Sequence, residues 1–357
     1  MRVLHVTATN GRRGAESFAL GLSDALRDLG MDGEVRSVIS VHDEERLPIP
    51  PLATHRSSAG GLLRLRRLLH DVDVAVGHGS SSLAALALAS ARTGTPFVYR
   101  SIGDPLQWSH TPARRWRTGQ LISRATAVTA LWDGAATALT ESLGVPATRI
   151  RVIPNGVAAN RFPMVTPAVR AEARTGLGLP QDALVVAFVG ELSEEKRPDV
   201  AIDVAARTPD VTLLMVGSGP LRGPIESLAT ERIPGRARFL GRIPDVRSVY
   251  AASDALLLTS DTEGQPAVLM ESALCGCPAV ATSVGGVPGV IIDGTTGVLA
   301  PPGDISALAD GLSRVLAGRS AMGAAARDHC LVTFELSAIA RQWDDLLRDV
   351  VAGRVTR

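Results

Sequence analysis

The chain reads as an α/β protein of two doubly wound domains, and three observations predict this. Its 357 residues exceed what one hydrophobic core usually organises, so two domains are expected. Short aliphatic runs alternate with Ala/Leu-rich segments of helical spacing, which is the pattern of parallel sheets covered on both faces. Those runs are continuously apolar rather than alternating, as strands buried on both faces are.

Taken in order, residues 3–7, 73–77, 97–100, 128–130 and 151–153 read as strands of a first sheet. Residues 183–189, 212–216, 238–240, 255–259, 279–282 and 298–300 read as strands of a second. Helical spacing lies between them, for example over 16–28 and 267–274. Pro163, Pro167, Gly176, Gly178 and Pro180 mark residues 160–182 as the linker. The boundaries predicted are therefore 1–165 and 166–334. The closing stretch 335–350 is amphipathic, with Leu336, Ile339, Trp343, Leu346 and Leu347 on one side.

Composition excludes several classes. No run approaches the roughly 20 apolar residues of a membrane-spanning helix. Residues 1–6 read as a first strand and not as a signal peptide, so a cytoplasmic protein is expected. Cys275, Cys277 and Cys330 are too few, and too poor in neighbouring histidine, for a disulfide framework or a zinc site. They read as small buried apolar residues. Residues 1–165 carry 19 arginines against 13 acidic side chains, whereas the remainder is net acidic. The basic half suits an anionic partner or membrane surface. Aromatic residues make up only 3% of the chain, which argues against nucleic-acid binding.

In open parallel sheets, ligands lie beyond the carboxyl ends of strands. The strongest constellation follows the strand at 255–259: Ser260-Asp261-Thr262-Glu263-Gly264-Gln265-Pro266-Ala267, then Glu271 two helical turns beyond Glu263. Gly264 permits close backbone approach, and Pro266 is suited to opening a helix. Amides at a helix N-terminus suit phosphate or sugar oxygens, and carboxylates accept from vicinal hydroxyls. Lys196 stands out differently. It is the single lysine against 36 arginines, and it follows the strand at 183–189. A compact ammonium suits phosphate oxygens as a point charge.

These residues resemble the E-x7-E motif of the family 4 retaining glycosyltransferases, and the resemblance extends over nearly the whole chain. Cys277-Pro278-Ala279, Gly285-Gly286 and Asp293-Gly294-Thr295-Thr296-Gly297 are similar to the family's C-terminal run. Val216-Gly217-Ser218-Gly219 resembles its glycine turn. Ile153-Pro154-Asn155-Gly156-Val157 resembles the crossing between its domains, and Gly14-Ala15-Glu16 its first glycine loop. The resemblance implies a GT-B architecture: two Rossmann-like domains facing across a cleft, with helix 335–357 crossing back to the first.

Roles are implied in the same way. Glu271 would bind the donor ribose. Glu263, with the amides of Gly264, Gln265 and Ala267, would hold the transferred hexose, and Pro266 would line the site. Gly14 and Lys196 would serve the diphosphate, and Gly217 would bind the donor. His78, between glycines at a strand end, matches a family histidine, and a second family histidine is replaced by Ile102, with Asp104 offering a carboxylate nearby; the catalytic residues expected are Glu263, Lys196, Asp104 and His78. An arginine usual after the position of Gly190 is here Glu191, so either Arg197 or an arginine of the first domain, Arg100 by preference, would supply the second cation, or donor affinity is lowered.

The expected activity is metal-independent transfer of a hexosyl group, with retention, from a UDP-, GDP- or similar nucleotide sugar. The acceptor would be a saccharide, a lipid-linked sugar or a small molecule. Residues 62–69, with Arg64, Arg66 and Arg67, and the run Arg114-Arg115-Trp116-Arg117 offer peripheral contact with an anionic membrane, though a solvated basic face is the plainer reading. Asp71-Val72-Asp73 precedes its strand and reads as a solvated loop, not a metal site. A nucleotide-sugar 2-epimerase and a non-catalytic donor-binding subunit stay open as alternatives. A dinucleotide oxidoreductase is disfavoured, because no G-x-G-x-x-G opens the first helix.

Overall fold

The computed structural model describes residues 1–41, 46–55, 58–108 and 111–355. It contains two compact units: Met1–Ala158 with Glu335–Arg357, and Ala159–Phe334.

The first unit holds seven strands: β1 (Arg2–Thr7), β2 (Asp32–Ile39), β3 (Pro51–Ala53), β4 (Val74–His78), β5 (Phe97–Arg100), β6 (Ala127–Ala130) and β7 (Ile150–Val152). They form one parallel sheet in the order β3-β2-β1-β4-β5-β6-β7. The second unit holds β8 (Leu184–Val189), β9 (Val211–Val216), β10 (Ala237–Gly241), β11 (Ala255–Leu258), β12 (Ala279–Thr282) and β13 (Gly297–Ala300). These are also parallel, in the order β10-β9-β8-β11-β12-β13.

Both sheets reverse direction beside their first strand. In the first, the chain runs outward from β1 to β3 and restarts at β4 on the other side of β1. In the second, it runs outward from β8 to β10 and restarts at β11 beside β8. At such a switch point the two crossovers leave on opposite faces, and the loops after the paired strands open a crevice. The loops after β1 and β4, and after β8 and β11, are therefore where function is to be sought.

Two elements differ from expectation. β2 and β3 were not anticipated: β2 mixes Asp32, Glu34 and Arg36 with valines, and β3 is three residues long. Residues 160–182, expected as a linker, fold as part of the second unit. There Thr166 caps the helix Pro167–Gly176 by accepting from the amide of Val169, and buried Arg174 reaches Asp254 at 2.9 Å.

The helix Leu336–Val351 belongs to the first unit. Its buried stripe of Ile339, Trp343, Leu346, Leu347 and Val350 packs with Val3, Phe18, Leu22 and Leu26. Trp343 is wholly buried. The three cysteines are free and buried. No helix among the described residues is long and apolar enough to cross a membrane.

Candidate functional site

The switch point of the second unit assembles residues of the two marked loops. After β8 the chain passes exposed Glu191 and closes a short turn, Glu194–Lys196. After β11 it runs through residues 259–266 into the helix Ala267–Leu274. The hydroxyl of Thr259 is shared between the carbonyls of Lys196 and Arg197, at 3.0 and 2.8 Å, and the amide of Asp261 donates to the carbonyl of Glu195 at 2.9 Å. The loops are thus one structure.

At its centre lies Glu263, 8% exposed. Its Oε1 accepts from Lys196 Nζ at 2.8 Å and from Ser260 Oγ at 2.6 Å. Lys196 also lies 3.4 Å from the carboxylate of Glu195. Partial burial works against the ammonium, but the charges and hydrogen bonds of the two glutamates outweigh it and raise its pKa above the ordinary lysine value. The backbone is equally constrained. Gly285 has φ +53°, and a Cβ there would stand 1.8 Å from the carbonyl oxygen of Glu263. Gly217 has φ +134°, and its Cβ would stand 1.8 Å from the carbonyl oxygen of Gly190. Only glycine fits either position.

Further along the same helix, Glu271 accepts at Oε2 from the hydroxyl of Tyr250, 2.9 Å away. Burial raises the pKa of Glu271, opposed by that hydrogen bond and by the charge of Arg161. Gln265 is buried, Gly264 accepts at its carbonyl from the amide of Gly286 at 2.7 Å, and Pro266 is the residue that caps the helix.

Arg197, one of two expected substitutes for the arginine that Glu191 displaces, is otherwise engaged. It occupies a left-handed conformation (φ 49°), and its guanidinium is bonded to Asp199 at 2.8 Å and Asp261 at 3.3 Å.

The other substitute, Arg100, turns inward. It is 1% exposed, donates to His78 Nδ1 at 3.4 Å and to Asn155 Oδ1, and lies 4.0 Å over the ring of Phe18. Burial lowers its pKa to about 9, against the pull of Glu16. A guanidinium can only donate, so Nδ1 of His78 is an acceptor and its proton sits on Nε2. That nitrogen lies 3.1 Å from Nδ1 of His5, which leaves the Nε2 proton of His5 buried with no partner among the described residues. Desolvation and Arg100 hold both imidazoles neutral, His5 down to about pH 3. His78, expected as catalytic, is thus enclosed with both nitrogens used, and Arg100, expected at the diphosphate, lies buried beside it in the first unit. Position at the end of a strand did not reveal which way either side chain points.

Asp104 accepts from the amide of Leu106 at 2.9 Å, capping the short helix Pro105–Trp108. Gly14 begins the helix Gly14–Asp28 and is exposed, with nothing within 4 Å of where its Cβ would be. Buried Glu16, two residues on, instead ties back to the amide and hydroxyl of Thr9. No group of three His, Cys, Asp or Glu among the described residues is arranged to hold a metal ion. Sequence reasoning missed Ser260, Tyr250 and His5. Only Ser260 carried a signal, as a hydroxyl three residues before Glu263.

Two family models match the chain in succession: a glycosyl transferase 4-like domain over residues 2–156 and the glycosyl transferases group 1 over 169–329. The D-inositol 3-phosphate glycosyltransferase of Actinosynnema mirum is 34% identical over 253 residues, 64% of this chain and 60% of that protein. Its namesake from Mycolicibacterium smegmatis is 35% identical over 177 residues, 47% of this chain and 40% of that one. The chain thus spans about half the length of these curated relatives. Among solved structures, Anabaena HepE in complex with UDP superposes with a TM-score of 0.87 at 23% identity, covering 98% of this chain and 100% of that one. Sucrose-phosphate synthase from Thermosynechococcus elongatus does so at 0.84 and 21%, covering 99% and 100%. These structures share the fold.

Proposed function

The chain belongs to the family 4 glycosyltransferases, and from that premise we propose that it moves a hexosyl group from a nucleotide diphosphate sugar to an acceptor with retention of anomeric configuration. The observation that carries this reading is the junction of Lys196, Ser260 and Glu263 at the switch point of the second unit. It joins the one ammonium side chain of the protein to a buried carboxylate, with a second carboxylate, Glu271, eight residues on. HepE, with the same fold, is held with UDP and with UDP-glucose, which supports testing a uridine donor first.

Cleavage of the donor leaves negative charge on the diphosphate while the anomeric carbon becomes oxocarbenium-like. Lys196 meets that charge. Glu263, whose Oε1 is taken by Lys196 and Ser260, offers Oε2 to hydroxyls of the hexose, with amides of the 264–267 segment beside it. Glu271 takes the ribose hydroxyls. With His78 neutral and enclosed, the reading favours front-face substitution, in which the departing phosphate takes the acceptor proton and no side chain acts as general base. No resident metal takes part in this scheme. The acceptor is a saccharide, a lipid-linked sugar or a small molecule, and inositol phosphates enter the panel because the relatives are named for one.

The test is a thermal-shift and turnover screen of nucleotide sugars with wild type, Lys196→Ala and Glu271→Ala. The expected result is one stabilising donor, transfer to a product of unchanged anomeric configuration, turnover insensitive to EDTA, and losses above 100-fold in both variants. An inverted product refutes retention. Donor binding without transfer or hydrolysis across the panel establishes the donor-binding subunit instead, a reading favoured by the engaged state of His78 and Asp104.

A further inference from the structure

We propose that Tyr250 is a positioning residue of the donor site: its buried hydroxyl holds one oxygen of Glu271 so that the other is presented to the nucleotide ribose. This rests on the donor-binding reading above. Tyr250 lies on the helix Arg247–Ala252, fully buried, its ring 6.4 Å from that of Phe162 and tilted 57° to it. Its only polar side-chain atom points at Glu271 Oε2, 2.9 Å away.

A phenol carries one proton and a carboxylate can only accept, so the pair has a single arrangement. The terminal torsion of a glutamate is otherwise broad and two-fold. The ring, anchored by its burial, supplies the fixed point that selects one orientation. Oε1 of Glu271 accepts no hydrogen bond among the described residues and remains available to a ligand hydroxyl. Recognition of a ribose hydroxyl by that one oxygen requires the alignment, and a freely turning carboxylate loses much of it.

The experiment measures calorimetric affinities of UDP and GDP, each beside its 2′,3′-dideoxy counterpart, for wild type and Tyr250→Phe. Wild type is expected to prefer the ribonucleotide at least tenfold. In Tyr250→Phe that preference falls to about twofold, because ribonucleotide binding weakens while dideoxynucleotide binding holds. A variant that keeps the full preference overturns the proposal and leaves the donor site intact. Wild type that binds nucleotide without the preference instead overturns the ribose role of Glu271; wild type that binds neither nucleotide overturns the donor site itself, and the proposal falls with each.

Should Tyr250→Phe fail to fold, wild type labelled with 3-fluorotyrosine answers the same question. The chain has two tyrosines, so two ¹⁹F lines are expected, assigned with Tyr99→Phe. The Tyr250 line should move on adding ribonucleotide and stay near its free position with the dideoxy form. A line that responds equally to both overturns the proposal.

Discussion

Ser260 and Lys196 converge on one oxygen of Glu263, and they differ in what their loss should do. A hydrogen bond to a charged group contributes about 1.5–3 kcal/mol. Ser260→Ala removes one such bond and keeps the ammonium, so kcat/KM should fall roughly 10- to 100-fold with donor affinity little changed; a parallel loss of donor affinity would refute a role confined to orienting Glu263. The paired imidazoles make a prediction about pH. His5 stays neutral in the folded protein to about pH 3, while the unfolded chain titrates near 6.5. His78 is displaced in the same direction. Below pH 6.5 the unfolded state therefore binds more protons, and stability falls as pH falls, with His5 contributing about 1 kcal/mol between pH 7 and 5.5 and His78 acting in the same direction. Denaturation of wild type and His5→Asn across this range checks it, since the variant should show the shallower slope. Lys196 could be found in the sequence because scarcity marked it, and the two glutamates because their spacing did. Tyr250 and His5 could not, since each sits in an apolar pattern that gives no sign of its hydrogen-bond partner.

Elements were readable where a single periodicity governed them. The five strands anticipated for the first sheet and the six for the second are short runs rich in apolar residues, and each forms within a residue or two of where it was expected. β2 escaped because its half-buried face tolerates charge, and β3 because three residues hold no period. Residues 160–182 misled for a different reason. Pro167 occupies the first turn of a helix, where proline is preorganised, so a residue taken as a breaker is a starter. The glycine loops are the elements on which the site depends. Gly285→Ala must move the carbonyl of Glu263 or abandon φ +53°, at a cost of about 1–3 kcal/mol. Both responses displace Glu263, so turnover should collapse more than stability does. A variant that stays as active as wild type would show that the loop holds Glu263 by other means. Trp343→Ala tests an element that contributes no residue to the candidate site. Emptying this buried position in the helix Leu336–Val351 should cost about 3–5 kcal/mol, read as a lowered denaturation midpoint.

For the molecule as a whole, charge is the property most visible in composition and least simply translated into structure. The excess of arginine in the first 165 residues suggested a surface for anionic partners, and several of these arginines also bond to the backbone of their own unit. Arg64 donates to the carbonyl of Leu52, Arg66 to those of Leu88 and Ala89, and Arg124 to that of Ala87. The second unit shows the converse. Its one ammonium is paired with Glu195 and Glu263, Glu191 and Glu194 lie within five residues of it in sequence, and Arg197 is committed to Asp199 and Asp261. A diphosphate approaching this loop meets a field short of positive charge, so donor binding should be weak and improvable at a single position. Glu191 is exposed and follows β8, so reversing its charge disturbs no packing. If it lies within about 8 Å of the diphosphate, replacing −1 by +1 contributes about 1 kcal/mol after screening at physiological salt. Glu191→Arg should therefore bind nucleoside diphosphate about fivefold more tightly, with the gain shrinking as salt rises and absent for the uncharged nucleoside. Calorimetry at two ionic strengths separates these outcomes: a gain shared by the nucleoside, or indifferent to salt, would mean that the arginine acts by contact with the base or sugar and not through the diphosphate charge.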